Sequence, residues 1–372
     1  MTFQKQAGAV RRFAWLWRFA HWMQNLPNNM TPPPFRLVQI GSAFWQSRAL
    51  YVVARLDIAT VLGGQPRTAE DIAARVAAGP DAVYRLLRLL AAAGVFEETA
   101  PRTFANNRLS RYLRTDEPGN VRAMILMHNS DAMSRPWYEQ LEQGVRTGET
   151  PFELTHGQAL FDYMDQHPDF DALFAQAMDS VEALAGDSFA RDFDWSQFDR
   201  IIDLGGGKGS KSAVILKQHP RLQALVVDRA SVIKEAERYW IGREAPDLLA
   251  RLHFQAGDVF EVIPPAVSAK DIYLLSAVLH GFDDEACGRI LGNLAAASAD
   301  TGARAAIMEL IVPETRADLT SATFDLQMFV GAGGRERTLA QWRNLIERSG
   351  WRLEGVVDLR SFAKILIIRI DN

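Results

Sequence analysis

Apolar and polar positions alternate in blocks along the C-terminal half of the chain. Short continuous apolar runs are typical of buried strands, whereas apolar residues three and four apart are typical of helices. The predicted strands cover residues 201–204, 224–227, 253–258, 271–280, 304–312, 351–359 and 363–370. The predicted helices between them cover residues 212–218, 285–297 and 339–349. This alternation predicts a doubly wound, mostly parallel sheet, and the last two strands suit an antiparallel hairpin.

The pattern from residue 35 to about residue 113 is almost entirely helical. A helix-start signature at Thr68 opens a helix that runs to residue 78, and a second helix covers residues 81–93. Two short strands at 95–98 and 103–104 follow, so the segment reads as a winged helix. DNA binding is the literal reading, but the presumed recognition helix offers few cations and the wing carries two acids. We therefore expect a structural or dimerising role, with a DNA-binding regulator as the alternative.

A glycine turn lies between the first two strands of the C-terminal half. The sequence DLGGGKG places Asp203 at a strand end and Gly205, Gly206 and Gly207 in the turn, and the next strand closes on Asp228. Glycines allow a ligand to approach the backbone, a helix N-terminus favours electron-rich groups, and an acid about 20 residues further on suits a ribose diol. The pattern predicts a nucleoside cofactor site.

The identity of the nucleoside follows from departures from two other motifs. Ser210 occupies the third glycine position of a dinucleotide fingerprint, and the G-K-[ST] ending of a phosphate-binding loop is absent after Lys208. S-adenosylmethionine needs a tight turn, an acid for the ribose and an apolar slot for adenine. Polar residues fall at or near several predicted strand ends, where such sheets bind ligands. These residues are Asp203, Asp228, Asp258 and His280.

Composition narrows the class of protein. The chain has 372 residues, which suits two domains, and its net charge of −4 with no long charge run gives no reason to expect nucleic acid or a membrane as partner. The single cysteine, Cys287, fits a reducing cytoplasm and excludes a disulfide framework. Residues 11–23 mix arginines with tryptophans. That segment does not fit a signal peptide, and we expect its aromatics to pack against the chain or a second subunit, with a membrane-surface helix as the alternative.

Several motifs together resemble one family. A helical region, a winged helix, DLGGGKG, GDVF, LHGFDDE, ELIVPE and GGRERT follow in this order over residues 35–370. They are similar to the small-molecule O-methyltransferases of plants and bacteria that use S-adenosylmethionine. The resemblance implies a Rossmann-like, doubly wound, mostly parallel seven-stranded sheet with an N-terminal all-helical winged-helix dimerisation domain. It implies a homodimer, with an N-terminal extension at 1–34, a dimerisation and substrate-lid domain at 35–185 and a methyltransferase domain at 186–372.

The resemblance also assigns residues. The family's general base matches His280, although Gly281 and Phe282 replace the family's Asp and Trp beside it. The carboxylates that flank the base match Glu309 and Glu336. The implied cofactor residues are Asp203, Gly205, Gly206, Gly207, Asp228, Asp258, Val259 and Ser276, the last standing where plant members have Lys. The implied substrate residues are His128, Phe174, Met178 and Met328.

The implied reaction is methyl transfer to a hydroxyl group of a planar aromatic molecule such as a phenazine, polyketide or phenol. A phenol has a pKa of about 10 and an ordinary imidazole about 6.5, so proton transfer costs roughly 5 kcal/mol unless a carboxylate stabilises the imidazolium. No metal is required. The alternative is a family member that binds S-adenosylmethionine but carries out different chemistry, such as hydroxylation or decarboxylation.

Overall fold

The computed structural model describes residues 3–243 and 246–370, without the side chains of residues 25, 29 and 182–185. The chain forms two compact units. The sheet unit comprises Met1–Arg18, Thr147–Pro151 and Ala185–Asn372, and the helical unit comprises Phe19–Arg146 and Phe152–Leu184. Among the described residues, no helix combines the length and the hydropathy needed to cross a membrane.

Helices account for most of the N-terminal half. Up to the sheet, the α-helices are α1 Ala7–Met30, α2 Pro33–Gly41, α3 Ala43–Arg55, α4 Ile58–Leu62, α5 Ala69–Arg75, α6 Pro80–Ala92, α7 Arg122–His128, α8 Asp131–Arg135, α9 Leu141–Thr147, α10 Pro151–His156, α11 Leu160–Gln166, α12 Pro168–Ala185 and α13 Ser188–Asp192. The later α-helices are α14 Ser210–Gln218, α15 Ala230–Trp240, α16 Pro246–Leu249, α17 Asp284–Ser298, α18 Leu319–Ala332 and α19 Leu339–Arg348. Single turns of other helix types occur at Ser110–Leu113, Pro136–Gln140, Trp195–Gln197 and Leu279–Gly281.

The strands fall into two sheets. Those of the helical unit are β1 Arg67–Thr68, β2 Phe96–Ala100 and β3 Thr103–Asn106. Those of the sheet unit are β4 Arg200–Leu204, β5 Gln223–Asp228, β6 Leu252–Ala256, β7 Asp271–Ser276, β8 Arg304–Val312, β9 Arg337–Thr338, β10 Trp351–Asp358 and β11 Ala363–Ile370.

The helical unit contains the predicted winged helix. The Thr68 hydroxyl caps α5 by accepting from the backbone N–H of Asp71 at 3.2 Å. Glycine and proline then separate α5 from α6, whose apolar face buries Leu87 and Leu90 against α3 and α4. Strands β2 and β3 pair antiparallel, and β1 adds to β3 to complete a small sheet. Strands β2 and β3 form the wing. Burial of one face of α6 and of Phe104 on β3 therefore holds the wing to the helices.

The sheet unit has the predicted fold class. Its strand order is β10-β11-β8-β7-β4-β5-β6, with β9 attached to β8. Neighbours from β6 to β8 pair parallel, whereas β11 and β10 pair antiparallel, which confirms the predicted hairpin. Successive side chains of β7 enter opposite cores, Ile272 and Leu274 on one face, Tyr273 and Leu275 on the other. The strand order reverses direction at β4, and such switch points are where open α/β sheets bind ligands.

Two predicted strands end earlier than the apolar pattern indicated. Strand β7 stops at Ser276 rather than residue 280, because Ala277 adopts a positive φ of 54° and a helical turn follows. A buried carboxylate from β8 fixes this reversal: Glu309 Oε1 accepts from the backbone N–H groups of Val278 and Leu279 at 3.0 and 2.9 Å. The strand predicted at 253–258 is β6, which ends at Ala256, two residues before Asp258.

Candidate functional site

The glycine turn joins β4 to α14 at the switch point of the sheet. Gly205 has a φ of 67°, and a Cβ there would lie 2.8 Å from a methyl carbon of Val278. A Cβ on Gly206 would lie 2.6 Å from Cγ of Asp203. The buried Asp203 accepts a hydrogen bond from the Ser212 hydroxyl at 2.7 Å. This bond joins the end of β4 to the start of α14, on either side of the glycine turn. Gly205 and Gly206 therefore leave no room for a side chain, at the first because of Val278 and at the second because of Asp203.

Asp228 ends β5 beside the turn. Its Oδ2 accepts from the backbone N–H of Gly207 at 2.8 Å and its Oδ1 accepts from the backbone N–H of Arg229 at 2.7 Å. Burial raises the pKa of Asp228, and these two hydrogen bonds counteract part of that rise. Each carboxylate oxygen keeps acceptor capacity beyond its one backbone bond, because an ionised carboxylate has about four lone-pair sites. This residue therefore fits the two hydroxyl groups of a ribose.

The other predicted cofactor residues follow β6 and β7. Asp258 Oδ1 accepts from the backbone N–H of Phe260 at 2.8 Å, which shapes the loop after β6. The carbonyl of Val259 accepts from the Asn293 side chain at 3.1 Å, while its own side chain packs against one core of the sheet. Ser276 is the last residue of β7 and is nearly buried. Adjacent strand ends therefore carry the whole predicted set, and the residues present fit a nucleoside.

His280, Glu309 and Glu336 come together next to these strand ends. His280 Nδ1 lies 2.7 Å from Glu336 Oε1 and 3.7 Å from Glu309 Oε2, and both carboxylates are buried. The histidine side chain is 21% exposed. Among the described buried side-chain atoms without a hydrogen-bond partner are Oε2 of Glu309 and Oε2 of Glu336. An ionised carboxylate only accepts, so Glu336 fixes the proton on Nδ1 and leaves Nε2 as the basic nitrogen.

The two carboxylates control the ionisation of His280. Burial alone would lower its pKa, but the charge of Glu309 and the hydrogen bond to Glu336 outweigh burial and raise the pKa of His280 to about 9. Burial in turn raises the pKa of Glu309, against the opposing charge of His280. One potential ligand atom from each of the three residues lies within 4.8 Å of the others, a spacing that also permits a metal ion.

A second loop holds the His280 segment in place. A Cβ on Gly334 would lie 2.0 Å from the carbonyl oxygen of His280, and the backbone N–H of Arg335 donates to that same oxygen at 2.9 Å. The buried Arg337 guanidinium donates to the carbonyls of Leu279 and Phe282 at 3.1 and 2.9 Å and pairs with Asp284 at 2.7 Å. The segment carrying the histidine is thus fixed along its length.

The departures at Gly281 and Phe282 are accommodated locally. Gly281 lies in the helical turn with no atom within 4 Å of a Cβ position. The Phe282 ring packs edge-on against Phe260 at 5.1 Å between centroids, and Phe260 follows the predicted adenine-side residues Asp258 and Val259 in the loop after β6. Phe282, which stands in the sequence where the family has Trp, therefore packs in an aromatic pair.

The predicted substrate residues lie in both units. Met328 lies on α18 of the sheet unit, and its carbonyl accepts from the backbone N–H of Gly334 at 3.2 Å, so it adjoins the loop that carries Glu336. In the helical unit, Phe174 and Met178 lie one turn apart on α12 and are partly exposed, and His128 ends α7 and is exposed. The contact of these four residues with a substrate stays a prediction.

Sequence reasoning missed several residues of this site. They are Ser212, Trp240, Asp325, Gly334 and Arg337. The Trp240 indole N–H donates to the carbonyl of Lys208 in the glycine turn at 2.7 Å, and Asp325 accepts from the backbone N–H of Glu336 at 2.9 Å. Arg337 is adjacent to Glu336 in the GGRERT motif, but a run of charges gives no signal of burial. The sequence contained one indication of these residues. Ser212 follows Asp203 by nine residues, so it stands at the start of the helix that follows the strand of Asp203.

Comparison with known proteins agrees with this fold and site. The O-methyltransferase domain matches residues 138–352, and the O-methyltransferase dimerisation domain matches residues 38–116. The phenazine O-methyltransferase of Lysobacter antibioticus is 32% identical over 333 residues, covering 90% of this chain and 95% of that protein. The crystal structure of LaPhzM superposes with a TM-score of 0.85 at 30% identity, covering 92% of this chain and all of that one.

A further solved structure that this chain matches contains two small molecules. An O-methyltransferase from neocarzinostatin biosynthesis, in complex with S-adenosylmethionine and 2-hydroxy-5-methyl naphthoic acid, matches with a TM-score of 0.73 at 26% identity, covering 87% of this chain and 96% of that one. The fold and site define a methyltransferase that uses S-adenosylmethionine. The chain belongs to the O-methyltransferase family and carries the dimerisation domain of that family, which supports a homodimer.

Proposed function

We propose that the protein transfers the methyl group of S-adenosylmethionine to a hydroxyl group of a planar aromatic small molecule, with His280 as general base and without a metal ion. The observation that carries the proposal is the 2.7 Å hydrogen bond between His280 Nδ1 and Glu336, with Glu309 beside it. A carboxylate on the far nitrogen fixes the imidazole tautomer and stabilises the imidazolium that forms when the base accepts a proton.

The raised basicity of His280 lowers the cost of taking a phenolic proton. With an ordinary imidazole, transfer from a phenol of pKa about 10 costs roughly 5 kcal/mol. With the pKa of His280 at about 9, the difference is one unit, or about 1.4 kcal/mol. The remaining free-energy cost arises in the resting enzyme, because His280 is protonated at neutral pH and must first lose that proton. The proton passes from the hydroxyl to Nε2.

The cofactor residues position the reaction. S-adenosylmethionine, when bound, supplies a methyl group already activated by the sulfonium charge. Asp228 would accept from the ribose hydroxyls, the backbone of Gly205, Gly206 and Gly207 would face the amino-acid part, and Asp258, Val259 and Ser276 would border adenine. Alignment of acceptor and donor is the main demand of such a transfer, because the methyl group needs no further activation. The clamped His280 segment meets that demand.

The relatives indicate the class of acceptor. The matched structure from neocarzinostatin biosynthesis holds a hydroxynaphthoic acid, and the Lysobacter relative is a phenazine O-methyltransferase. We propose an acceptor of this size and planarity, with Phe174, Met178, Met328 and His128 as its predicted contact residues. The family and the single buried cysteine, Cys287, are consistent with action in the cytoplasm.

A transfer assay tests the proposal. The protein is incubated with S-adenosylmethionine carrying a labelled methyl group and with hydroxyphenazines, hydroxynaphthoates or hydroxybenzoates, with and without a chelator. We expect label in an O-methyl ether of at least one acceptor, unaffected by the chelator. Cofactor binding by calorimetry without transfer to any acceptor would favour the alternative chemistry. Loss of transfer on chelation would show that the three residues hold a metal ion.

A further inference from the structure

His280, Glu309 and Glu336, which we call the base cluster, carry more negative charge than one histidine can balance. Both carboxylates are buried and face a single imidazole, so even an imidazolium offsets only one of their two charges. The nearby cation Arg337, which follows Glu336 in the chain, is paired with Asp284 at 2.7 Å. A buried charge without a counter-charge is costly. The base cluster therefore suits a cation of charge two.

Each carboxylate of the base cluster also keeps one oxygen without a hydrogen-bond partner among the described atoms. Glu309 Oε1 accepts from two backbone N–H groups, at 3.0 and 2.9 Å. Its Oε2 is buried, has no such partner and lies 3.7 Å from His280 Nδ1. Glu336 Oε2 is buried in the same way, and the two glutamates are only 2 and 5% exposed. Buried polar atoms of this kind are uncommon, and a bound ion is one of the groups that satisfy them.

The donor atoms and their spacing fit zinc. His280 Nδ1 and one oxygen of each glutamate lie within 4.8 Å of one another, and the separations from Nδ1 are 2.7 and 3.7 Å. Ligand atoms at about 2.1 Å from a tetrahedral zinc ion are about 3.4 Å apart, so the side chains need to move by less than about 1 Å. Zinc binds imidazole nitrogen and carboxylate oxygen, whereas magnesium prefers oxygen ligands in an octahedron. The base cluster therefore favours zinc over magnesium.

Zinc on Nδ1 would remove the basic nitrogen of His280. In the imidazolium both ring nitrogens carry a proton, and in the neutral ring one of them does. Glu336 keeps the proton of the neutral ring on Nδ1, which leaves Nε2 to accept the proton of the hydroxyl. Zinc that binds Nδ1 displaces the Nδ1 proton of the imidazolium to solvent, and the remaining proton stays on Nε2. The ring then has no lone pair for the acceptor hydroxyl.

We propose that His280, Glu309 and Glu336 form a Zn²⁺ site, and that zinc bound there inhibits methyl transfer by occupying the general base. The inhibition rests on the function proposed above, whereas zinc binding does not, because it is measured on the cofactor-free protein. The single cysteine of the chain, Cys287, is buried, so capture of zinc by an exposed thiol is not a rival explanation.

Calorimetry with zinc chloride on the full-length, cofactor-free protein tests the site. We expect one zinc ion per chain, bound at least about a hundredfold more weakly in His280→Ala and in Glu336→Gln, since the loss of an outer-shell partner alone costs up to about that much. The matched control is His253→Ala, which removes an exposed histidine from β6 and should leave the dissociation constant unchanged. Absence of binding in the wild type, or equal dissociation constants in all four proteins, would overturn the proposal.

Diffraction from a wild-type crystal soaked in zinc covers the case in which either variant fails to fold. We expect an anomalous peak at the zinc absorption edge between His280 Nδ1 and the two carboxylates. Peaks at exposed histidines alone would show an adventitious ion only, and the site would be refuted.

The transfer assay with labelled S-adenosylmethionine tests the inhibition. Zinc at ten times its dissociation constant should lower the rate on an unactivated phenol about tenfold by mass action, excess chelator should restore the rate, and magnesium should not change it. Acidic hydroxyls, which ionise unaided, should lose less. Equal inhibition of both kinds of acceptor, or a rate that zinc leaves unchanged or raises, would contradict the inhibition. If no acceptor is methylated, the proposed function fails, and the calorimetry still decides whether the site binds zinc.

Discussion

His280 owes its chemistry to two buried carboxylates that act against the effect of burial. Burial by itself lowers the pKa of an imidazole, yet Glu309 and Glu336 raise the pKa of His280 to about 9. Glu309 also accepts hydrogen bonds from the backbone N–H groups of Val278 and Leu279. The same residue therefore ends strand β7 and raises the pKa of the base. The pKa of this base therefore lies close to that of a phenol. As a consequence, the imidazole is protonated in the resting enzyme at neutral pH.

Replacing His280 by Ala tests its role as base. General-base catalysis contributes about 10²–10⁴-fold, so turnover on an unactivated phenol at neutral pH should fall by that order. Cofactor affinity measured by calorimetry should stay nearly unchanged, because the histidine is not among the predicted cofactor residues. The loss should shrink at high pH and for acidic hydroxyls, which ionise unaided. Wild-type turnover in this variant would show that His280 is structural.

The pH dependence follows from the direction of the pKa shift. Below pH 9 the imidazolium predominates and cannot accept a proton, so kcat/KM should rise about tenfold per unit of pH and level off near 9. Glu336→Gln removes a group that raises the pKa of His280, so its curve should level off at a lower pH. Coincident profiles for the two proteins, measured on one phenol across pH 6 to 10, would rule out this coupling.

At the scale of elements, the base depends on two loops in backbone contact. One follows β7 and carries His280, and the other lies between α18 and α19 and carries Gly334, Glu336 and Arg337. The second loop reaches the first through the carbonyl of His280 and through the Arg337 guanidinium. Neither loop alone determines where the imidazole points.

Gly334→Ala tests this contact between loops. The added Cβ would start 2.0 Å from the His280 carbonyl oxygen, so the two loops must separate. We expect kcat to fall at least about tenfold, since small displacements of a catalytic group are costly, with little change in cofactor affinity. Gly292→Ala is the control, because nothing lies within 4 Å of a Cβ there. Equal kcat in both variants would mean that the loops tolerate separation.

At the scale of the whole molecule, charge is divided unevenly along the chain. The charged side chains among the first 56 residues are all basic, and the remaining residues carry a net negative charge. The chain also carries the family's dimerisation domain. We expect assembly of two copies to bring the basic and acidic parts of the chain together.

The whole-molecule prediction concerns salt. We expect a dimer at micromolar concentration whose dissociation constant rises between low salt and about 0.5 M salt, because screening shortens the range of attraction between the basic and acidic parts. Sedimentation at several ionic strengths measures it. A monomer at micromolar concentration would contradict the dimer. A dimer insensitive to salt would contradict only the electrostatic contribution.

The sequence by itself determined the secondary structure of the sheet unit closely. The strand predicted at 304–312 is β8, the late hairpin is β10 and β11, and the winged helix has its predicted parts. These elements depend on apolar periodicity and on glycine and proline breaks, which are local properties of the chain. The glycine turn and its acid were readable for the same reason. The resemblance added the roles of His280, Glu309 and Glu336, which spacing alone does not reveal.

Only the tertiary structure decided where β7 ends, which carboxylate bonds to His280 and that Arg337 is buried. The apolar run 271–280 continues past Ser276, but a carboxylate about 30 residues further along the chain turns the backbone there. Arg337 reads as part of a solvated charge run, yet carbonyl groups more than 50 residues away enclose it. Such contacts join distant segments, and their energy appears only once the sheet has brought those segments together.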